Sequence, residues 1–445
     1  MAVMIDNHVV QTAASSFAIG TDNLRRIESA FIYDLDRGVD GMEPSSLKML
    51  PSFLDLPTGR EEGDALALDF GGTNVRARLY HIENGKAAVL RESARRLREF
   101  DRENALLYDY TSSKTRPEEL FDFIAGIVKE AVGGDTQEEY PLGWTFSFPA
   151  RQERVDQAEL ISWSKEIAVP GVEGQDVVRL LREALERNGL KNVRIKAVVN
   201  DTIATLVAAA YSDEKVTAAA IYGTGHNTGC REMYVRDKDR PPQLLNLESG
   251  GFSRLMRTVY DLEVDERSDR PGAQLLEKMV SGRYLGALFT NVAALSVRGE
   301  REEIPPDLED RLGFTAEDMS RFMLAEDIAE KRSVLAVKFF PALGKGFSLD
   351  RAEIAAFRGL AEAITRRSAR LVAATLSAIV RHNSETGEIK PQTIAVDGSV
   401  YANMPGVARL VRAAIDELLG EEGKKVELRR LAGGSGFGAA IAALM

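Results

Sequence analysis

The chain has 445 residues, of which 44% are hydrophobic and 28% are charged, with 37 Gly, 15 Pro and a single Cys. This composition is that of a globular protein, and it excludes collagen-like, coiled-coil and disordered chains. The 57 basic and 68 acidic residues give a net charge of −11, which disfavours nucleic acid and anionic membranes as partners. One cysteine and four scattered histidines also argue against a disulfide framework and a structural zinc site.

Residues 1–20 have no basic region leading into an apolar run, which argues against a secretory signal peptide. No stretch has the roughly 18 uninterrupted apolar residues that would span a bilayer. We therefore expect a soluble, cytoplasmic protein. At this length we also expect two lobes or domains.

In chain order, the apolar periodicity predicts mostly helix over residues 1–60 and then a strand–turn–strand unit with strands at 65–70 and 75–80. Residues 81–110 are typical of further hairpin strands, although 91–102 would also suit a charged helix. Further strands are predicted at 142–148, 193–199, 218–222 and 394–396. Helices are predicted at 118–132, 174–189, 203–211, 268–290, 350–382 and 439–445.

Several predicted strands end in the same kind of small, polar turn that contains glycine or asparagine. These turns lie at 69–74, 200–202, 223–225 and 397–399, and residues 433–438 make a fifth glycine-rich turn. Such turns, distributed over one chain, indicate two sheets whose ends face a common cleft. That arrangement suits a ligand lying between two domains.

The turn at 69–74 has two interpretations. It could be only a tight hairpin, since Asp and Asn are ordinary turn formers. It could instead be a phosphate loop, in which Gly71 and Gly72 let backbone N–H groups approach phosphate oxygens and Thr73 adds a hydroxyl. Asp69 would then hold Mg²⁺, through water. The Walker pattern is absent, so a P-loop NTPase is disfavoured.

Asp201 follows a predicted strand and precedes a predicted helix. It could be the N-cap of that helix, or a general base that takes a proton from an attacking hydroxyl. The two roles are compatible, because a helix N-terminus stabilises a carboxylate. Some other candidates have ordinary interpretations when each is taken alone. Charged side chains such as Lys165, Glu248 and Glu277 usually lie on the surface, and a serine such as Ser147 usually lies in a turn.

Nine motifs taken together are far more specific than any one of them. In order, the chain contains LDFGGTNVR (68–76), FSFPA (146–150), LISWSKEIAVPGVEGQDVV (160–178), VVNDTIATL (198–206), YGTGHNTG (222–229), NLES (246–249), PGAQLLEKMVSGRYLG (271–286), VDGSVY (396–401) and GSGFGAA (434–440). This series resembles the hexokinase family in its eukaryotic-type, single-length form. The resemblance runs from about residue 60 to the C-terminus.

The resemblance implies an α/β protein with the two-domain, actin-like and ribonuclease H-like ATPase fold, in which a sugar and ATP cleft lies between the lobes. We expect a small domain over 64–200, to which 432–445 return. The large domain would comprise 1–63 and 201–431.

The resemblance also implies a sugar pocket. Its residues would be Ser147, Ser164, Lys165, Asn200, Asp201, Asn227, Glu248, Gln274 and Glu277. Asp201 would be the catalytic base that deprotonates the sugar 6-hydroxyl as it attacks the γ-phosphate, and Lys165 would supply catalytic positive charge. Amides and carboxylates suit the donors and acceptors that sugar hydroxyls present.

For the nucleotide, the resemblance implies ATP with Mg²⁺. The residues holding or lying near the phosphates would be Asp69, Gly71, Gly72, Thr73, Asn74, Arg76, Gly223, Thr224 and Gly225. Gly398, Ser399 and Ser435 would flank the adenosine. Asp69 would be the metal residue, acting through water.

The expected activity is ATP-dependent phosphorylation of a hexose at the 6-hydroxyl, the first step of glycolysis. Glucose is the main candidate substrate, with mannose and fructose as further ones. The partners are these small molecules, and the sequence is compatible with both a monomer and a homodimer.

Three other functions compete with this activity. A repressor-like glucokinase is disfavoured because its cysteine-rich zinc motif needs more than one Cys. A non-catalytic sugar sensor would not need Asp201 and Lys165, and an actin- or chaperone-like ATPase would not need the sugar-pocket set.

The chain departs from the family's pattern at several positions. Ser164 replaces a Thr and keeps the hydroxyl. His226 stands where a small residue is typical. It could add a polar contact at the cleft or point to solvent, and we expect that it points to solvent. Ser249-Gly250-Gly251 replaces a segment that begins with Trp, which bears on the shape of the pocket beside the sugar. We expect these changes to affect sugar preference rather than activity.

Overall fold

The structure is a computed structural model. It describes residues 3–39, 45–133, 138–163, 167–232, 242–299, 304–344, 347–384 and 387–445. Two residues predicted for the sugar pocket, Ser164 and Lys165, lie outside the described residues. No helix within these described ranges has the length and apolar character needed to cross a membrane.

The described strands, numbered in chain order, are β1 Met4–Ile5, β2 Leu50–Pro51, β3 Gly63–Phe70, β4 Asn74–Glu83, β5 Lys86–Arg96, β6 Arg98–Phe100, β7 Leu106–Asp109, β8 Tyr140–Phe146, β9 Ala150–Arg151, β10 Glu159–Leu160, β11 Val193–Val199, β12 Val216–Tyr222, β13 His226–Glu232, β14 Gln243–Asn246, β15 Val297–Arg298, β16 Gln392–Asp397 and β17 Val426–Arg430.

The described helices are α1 Asn7–Ser16, α2 Thr21–Val39, α3 Pro117–Val132, α4 Val177–Arg187, α5 Asp201–Ser212, α6 Val259–Glu266, α7 Leu275–Val280, α8 Gly282–Ser296, α9 Leu308–Leu312, α10 Ala316–Leu324, α11 Ile328–Leu343, α12 Arg351–His382, α13 Ser399–Asn403, α14 Val407–Leu419 and α15 Gly434–Leu444. Single turns of 3₁₀ helix cover Ser249–Gly251 and Gly420–Lys425.

The two large sheets share a five-stranded topology, to which the second sheet adds β2 at one edge. The first has the strand order β11-β8-β3-β4-β5, and the second has the order β17-β16-β12-β13-β14-β2. In each, three strands that are consecutive in sequence pair antiparallel, and two later strands add in parallel. Helices α3, α4 and α5 alternate with the later strands of the first unit, and α12, α14 and α15 do so in the second. This repeated unit is the predicted two-domain, actin-like and ribonuclease H-like fold.

Strand β3 shows how the alternation of side chains fixes the layers. Leu66 and Leu68 lie on one face, in a buried cluster with helices α3 and α4. Ala65 and Ala67 lie on the other face, in a cluster with helices α5 and α15 and with Ala219 of the second sheet. The side chains are small on the second face because two helices approach the sheet closely there.

Close packing explains the C-terminal glycines. The turn predicted at 433–438 is wrong for all but its first residue, because helix α15 begins at Gly434. A Cβ on Gly438 would lie 1.7 Å from the carbonyl oxygen of Ala204 in α5, and one on Gly143 of β8 would lie 1.7 Å from that of Ala439. These glycines allow helix and strand backbones to touch.

Two further predictions have a clear outcome. The hairpin strands predicted over 81–110 are confirmed and the alternative of a helix over 91–102 is wrong, since β5 pairs with β4 along its length and Glu92 accepts a hydrogen bond from Arg78 on the opposing strand, 2.6 Å away. The helix predicted over 268–290 begins only at Leu275 and is interrupted at Ser281. The carboxylate of Asp265 accepts a hydrogen bond from the amide of Gly272 at 3.0 Å, which holds the preceding segment as a loop.

The domain limits at 64–200 and 432–445 stay predictions. Helix α5, which we assigned to the large domain, packs against α15, which we assigned to the small one. The shared layer of α5 and α15 therefore lies where the two predicted domains meet.

Candidate active site

The ends of strands from both sheets meet at one cleft with a volume of about 1330 Å³. The first sheet contributes residues after β3, β8 and β11, and the second contributes the β12–β13 turn and the residues after β14 and β16. The residues of the predicted site that line this cleft are Ser147, Asn200, Asp201, Asn227, Glu248, Gln274 and Glu277 on the sugar side and Gly71, Thr73, Gly223, Thr224, Gly225, Gly398, Ser399 and Ser435 on the nucleotide side. Residues from about 70 to 435 are thus brought together, as the repeated strand-end turns indicated.

Asn200 and Asp201 lie where β11 ends and α5 begins. Asn200 is the N-cap, since its side-chain oxygen accepts a hydrogen bond from the amide of Ile203 at 2.8 Å. The alternative role considered for Asp201, as the N-cap, is therefore wrong. Asp201 is the first helical residue, and its carboxylate lies in the cleft at the positive end of the helix dipole.

A network of amides and a carboxylate forms the wall on the side of the second sheet. Asn227 donates to the side-chain oxygen of Asn246 at 2.8 Å, and Asn246 donates to Glu248 at 2.8 Å. The side-chain oxygen of Asn227 accepts from the amides of Thr228 and Ser249. Each amide is therefore held in one orientation before any ligand arrives.

Asn246 is a site residue that the sequence analysis missed. It lines the cleft at the end of β14, and it orients two of the predicted pocket residues. The motif at 246–249 places Asn246 two residues before Glu248. However, β14 ends at Asn246 and Glu248 has a left-handed backbone, so the alternation of side chains along a strand could not have predicted their contact.

Two cleft residues have left-handed backbone conformations. Glu248 and Gln274 both have a φ of 53°, which non-glycine residues rarely adopt and which costs about 1–3 kcal/mol each. The side chain of Gln274 lies close to the turn after Glu248, since a Cβ on Gly250 would be 2.6 Å from its side-chain oxygen. Both strained residues direct polar side chains into one cleft, which is typical of a functional site.

Glu277 lies on helix α7, and its carboxylate contacts the β12–β13 turn. One carboxylate oxygen accepts a hydrogen bond from the amide of His226 at 2.9 Å. A Cβ on Gly225 would lie 2.9 Å from the same oxygen, so a glycine is needed there for the approach.

The nucleotide side of the cleft is formed by tight glycine turns. In one turn, the amide of Gly223 donates to the carbonyl of Gly225 at 3.0 Å. In another, Asp397 accepts hydrogen bonds from the amides of Gly398 at 2.7 Å and Gly433 at 3.1 Å. Asp397, which also lines the cleft, was not predicted, although its carboxylate joins the turn after β16 to the start of α15.

Four residues predicted for the nucleotide do not line the cleft: Asp69, Gly72, Asn74 and Arg76. Arg76 lies 3.6 Å from Glu92 of β5, on the outer part of the sheet. Asp69 is half-buried at the end of β3, where one of its oxygens would lie 3.9 Å from a Cβ on Gly71. Asp69 is thus directly behind the turn that enters the cleft.

His226 does not point to solvent, so that expectation is wrong, and it is instead among the residues that line the cleft. Only 4% of the residue is exposed, and burial lowers the pKa of its imidazole to about 4. In the segment Ser249-Gly250-Gly251, Ser249 is fully buried and does not line the cleft, whereas Gly250 does.

Two family models, both described as Hexokinase, match residues 9–211 and 217–445. Hexokinase-2 of Candida albicans is 32% identical over 96% of this chain and 90% of its own length. A solved structure described as a crystal structure of hexokinase has a TM-score of 0.83 and 31% identity, covering 98% of this chain and 99% of that one.

A second solved structure, hexokinase from Schistosoma mansoni complexed with glucose, has a TM-score of 0.79 and 27% identity, covering 99% of this chain and 100% of that one. The family models cover both repeats of the fold. The similarity in sequence and in structure extends over nearly the whole chain, and the chain therefore belongs to the hexokinase family.

Proposed function

We propose that this protein is an ATP:hexose 6-phosphotransferase with glucose as its main substrate. The observation that carries the proposal is the joining of two half-sites in one cleft. A cluster of amides and carboxylates lies directly beside glycine turns of the kind that bind phosphate. A hexose on the first and a triphosphate on the second would have their reacting groups adjacent.

The sugar side matches the chemistry of a hexose. Each sugar hydroxyl both donates and accepts, and the carboxylates of Glu248 and Glu277 would accept charge-assisted hydrogen bonds from such hydroxyls. Asn200 and Asn227 would add amide donors and acceptors, together with Gln274. Because hydrogen bonds within the protein already orient both asparagines and both carboxylates, little ordering of these side chains would remain to oppose binding.

Asp201 would act as the general base. Its carboxylate would take the proton of the 6-hydroxyl while that oxygen forms a bond to the γ-phosphorus, and the bond from the γ-phosphorus to the bridging oxygen of ADP would break. Capping of helix α5 falls to Asn200, so the carboxylate of Asp201 is not committed to the helix. The proton would leave on Asp201, and the products would be hexose 6-phosphate and ADP.

The nucleotide would enter with Mg²⁺ bound to its phosphates. Within the described ranges no group of three or more His, Cys, Asp and Glu side chains could hold a metal ion by itself, which fits an ion that arrives with ATP. Carboxylate oxygen is the donor that Mg²⁺ prefers, and Asp69 would reach the ion through water. Mg²⁺ would neutralise phosphate charge, while Thr224, the turn amides and Lys165 would orient the phosphates.

Water is a competing nucleophile, so a kinase of this kind gains from closing on its sugar. Small side chains from both sheets contact helices α5 and α15 in a shared layer. We place the motion that closes the cleft at this layer.

The test is an assay of ADP release with ATP, Mg²⁺ and glucose, mannose, fructose, glucosamine, N-acetylglucosamine or no sugar. We expect ADP release only with a hexose, and most with glucose. Release without sugar would indicate an ATPase instead. No release, with glucose still raising the melting temperature, would indicate a non-catalytic sugar sensor.

The residue test is Asp201→Asn, which keeps the size and polarity of the side chain and removes the base. We expect turnover to fall by at least 100-fold, as the loss of general base catalysis predicts, while glucose affinity measured by calorimetry stays within about threefold. Turnover close to that of the unmodified protein would show that Asp201 is not the base. Asp122→Asn, on the exposed surface of α3, is the matched control.

A further inference from the structure

His226 lies at the junction between the nucleotide turn and the sugar pocket. It is the first residue of β13, directly after the turn formed by Gly223–Gly225. Its Nδ1 lies 3.1 Å from the carbonyl oxygen of Ile221, on the other side of that turn. Its ring packs edge-on against Tyr222, with the ring centroids 6.0 Å apart. The imidazole therefore links the two strands at the base of the nucleotide turn.

The backbone at this position joins the turn to the sugar-side helix. The amide of His226 donates to the carboxylate of Glu277 at 2.9 Å. In return, the amide of Gly282, just after α7, donates to the carbonyl of Gly223 at 2.7 Å, and the next amide donates to that of Thr224 at 3.1 Å. The turn is thus bonded to α7 through Glu277 and to the first two residues of α8 through Gly282 and Arg283.

The chemical state of the imidazole follows from its surroundings. Because the carbonyl of Ile221 can only accept a hydrogen bond, Nδ1 of His226 carries the proton. Nε2 is buried and has no hydrogen-bond partner among the described residues, and burial lowers the pKa of the ring. The ring is neutral at physiological pH, and it contributes one donated hydrogen bond and a rigid shape.

We propose that His226 is a positioning residue that fixes Glu277 and the nucleotide turn relative to each other, so that hexose binding and nucleotide binding are energetically coupled through it. A shift of its backbone would move both the N–H group that holds Glu277 and the end of the turn. This inference rests on the proposed function.

Three substitutions separate the donated hydrogen bond from the shape of the ring. In His226→Asn the carboxamide nitrogen takes the place of Nδ1 and keeps the donor. His226→Phe keeps a ring without a donor, and His226→Gln moves the amide towards the place of Nε2. For each variant we would measure the KM for glucose, the KM for MgATP, and the Kd for glucose with and without MgADP by calorimetry.

We expect MgADP to tighten glucose binding by at least fivefold in the unmodified protein, within the usual range of coupling between sites. In the Phe and Gln variants we expect both KM values to rise about tenfold, because groups that bind the two substrates would be misplaced. We also expect MgADP to tighten glucose binding less than twofold in these variants. The Asn variant should stay within about threefold of the unmodified protein. If one of the Phe and Gln variants fails to fold, the other provides the comparison.

Cys230→Ala is the matched control, because Cys230 is fully buried on the same strand, four residues further on. We expect it to lower the melting temperature and to leave both KM values and the MgADP effect unchanged. The inference is wrong if the Phe and Gln variants behave like this control, if the Asn variant behaves like them, or if MgADP has no effect in the unmodified protein. Absence of hexose-dependent ADP release in the unmodified protein would instead overturn the proposed function.

Discussion

Replacement of Gly438 by alanine tests the packing that holds helix α5 in place. The new Cβ would lie 1.7 Å from the carbonyl oxygen of Ala204 and 2.5 Å from its carbonyl carbon. A carbon and a carbonyl oxygen in contact are normally about 3.3 Å apart, so α15 and α5 would have to separate by about 1.6 Å. Both contacting groups are backbone, and no flexible side chain can move aside.

The expected loss of stability follows from two opposing effects. Overpacking costs about 1–3 kcal/mol, and we take the upper end because the obstacle is backbone. Alanine in place of glycine inside a helix returns about 1 kcal/mol. The free energy of unfolding should therefore fall by about 2 kcal/mol, measured from urea denaturation.

Activity should change as well, because Asp201 lies one helical turn before Ala204 at the start of α5. A displacement of this size at the base should lower kcat about 10- to 100-fold. Gly436→Ala, in the same helix, is the matched control, since its Cβ would meet nothing closer than the hydroxyl of Tyr80 at 3.4 Å. If the Gly438→Ala protein has the same stability and the same kcat as the Gly436→Ala protein, our account of how α5 is held in place is wrong.

Two further substitutions have defined outcomes. Asn246→Ala removes the donor to Glu248, and we expect the KM for glucose to rise about tenfold with a smaller change in kcat; an unchanged KM would remove Asn246 from the pocket. Burial opposes the charged form of His382, but the carboxylates of Glu232 and Asp36 outweigh burial and raise its pKa above 6.5. Its charge therefore contributes stability that is fully present below about pH 6.5 and is lost as the pH rises through the higher folded pKa. In urea titrations, His382→Asn should lose most stability relative to the unmodified protein near pH 6 and less near pH 9, and a constant difference would contradict this.

Sequence patterns predicted the long elements well because local chemistry marks their ends. Strand β11 was predicted with the observed limits, since the apolar run stops abruptly at Asn200-Asp201. Helix α12 differs from its prediction by one residue at its start, where Asp350 forms a capping box with Glu353. At both places the sequence signal is contained within a few neighbouring residues.

The missed features depend on distant parts of the chain. Helix α15 begins among glycines because it touches α5. Asp397 acts by accepting a hydrogen bond from Gly433, which lies far along the chain. Local propensity contains no information about such partners, so tertiary contact overrides it.

The arrangement of α5 and α15 has a consequence for how the protein acquires its structure. Each helix is the last of its own repeat, yet α5 packs on β12 and β13 of the second sheet and α15 packs on β3, β8 and β11 of the first. The first sheet is therefore covered by residues that follow β11 by 235 positions (434 − 199). A ribosome would release all five of its strands long before their cover is synthesised, so the alanine face would stay open to chaperones or to aggregation during that interval. For the same reason, we expect an isolated 63–199 fragment to be insoluble, and addition of a peptide spanning 432–445 to increase its solubility.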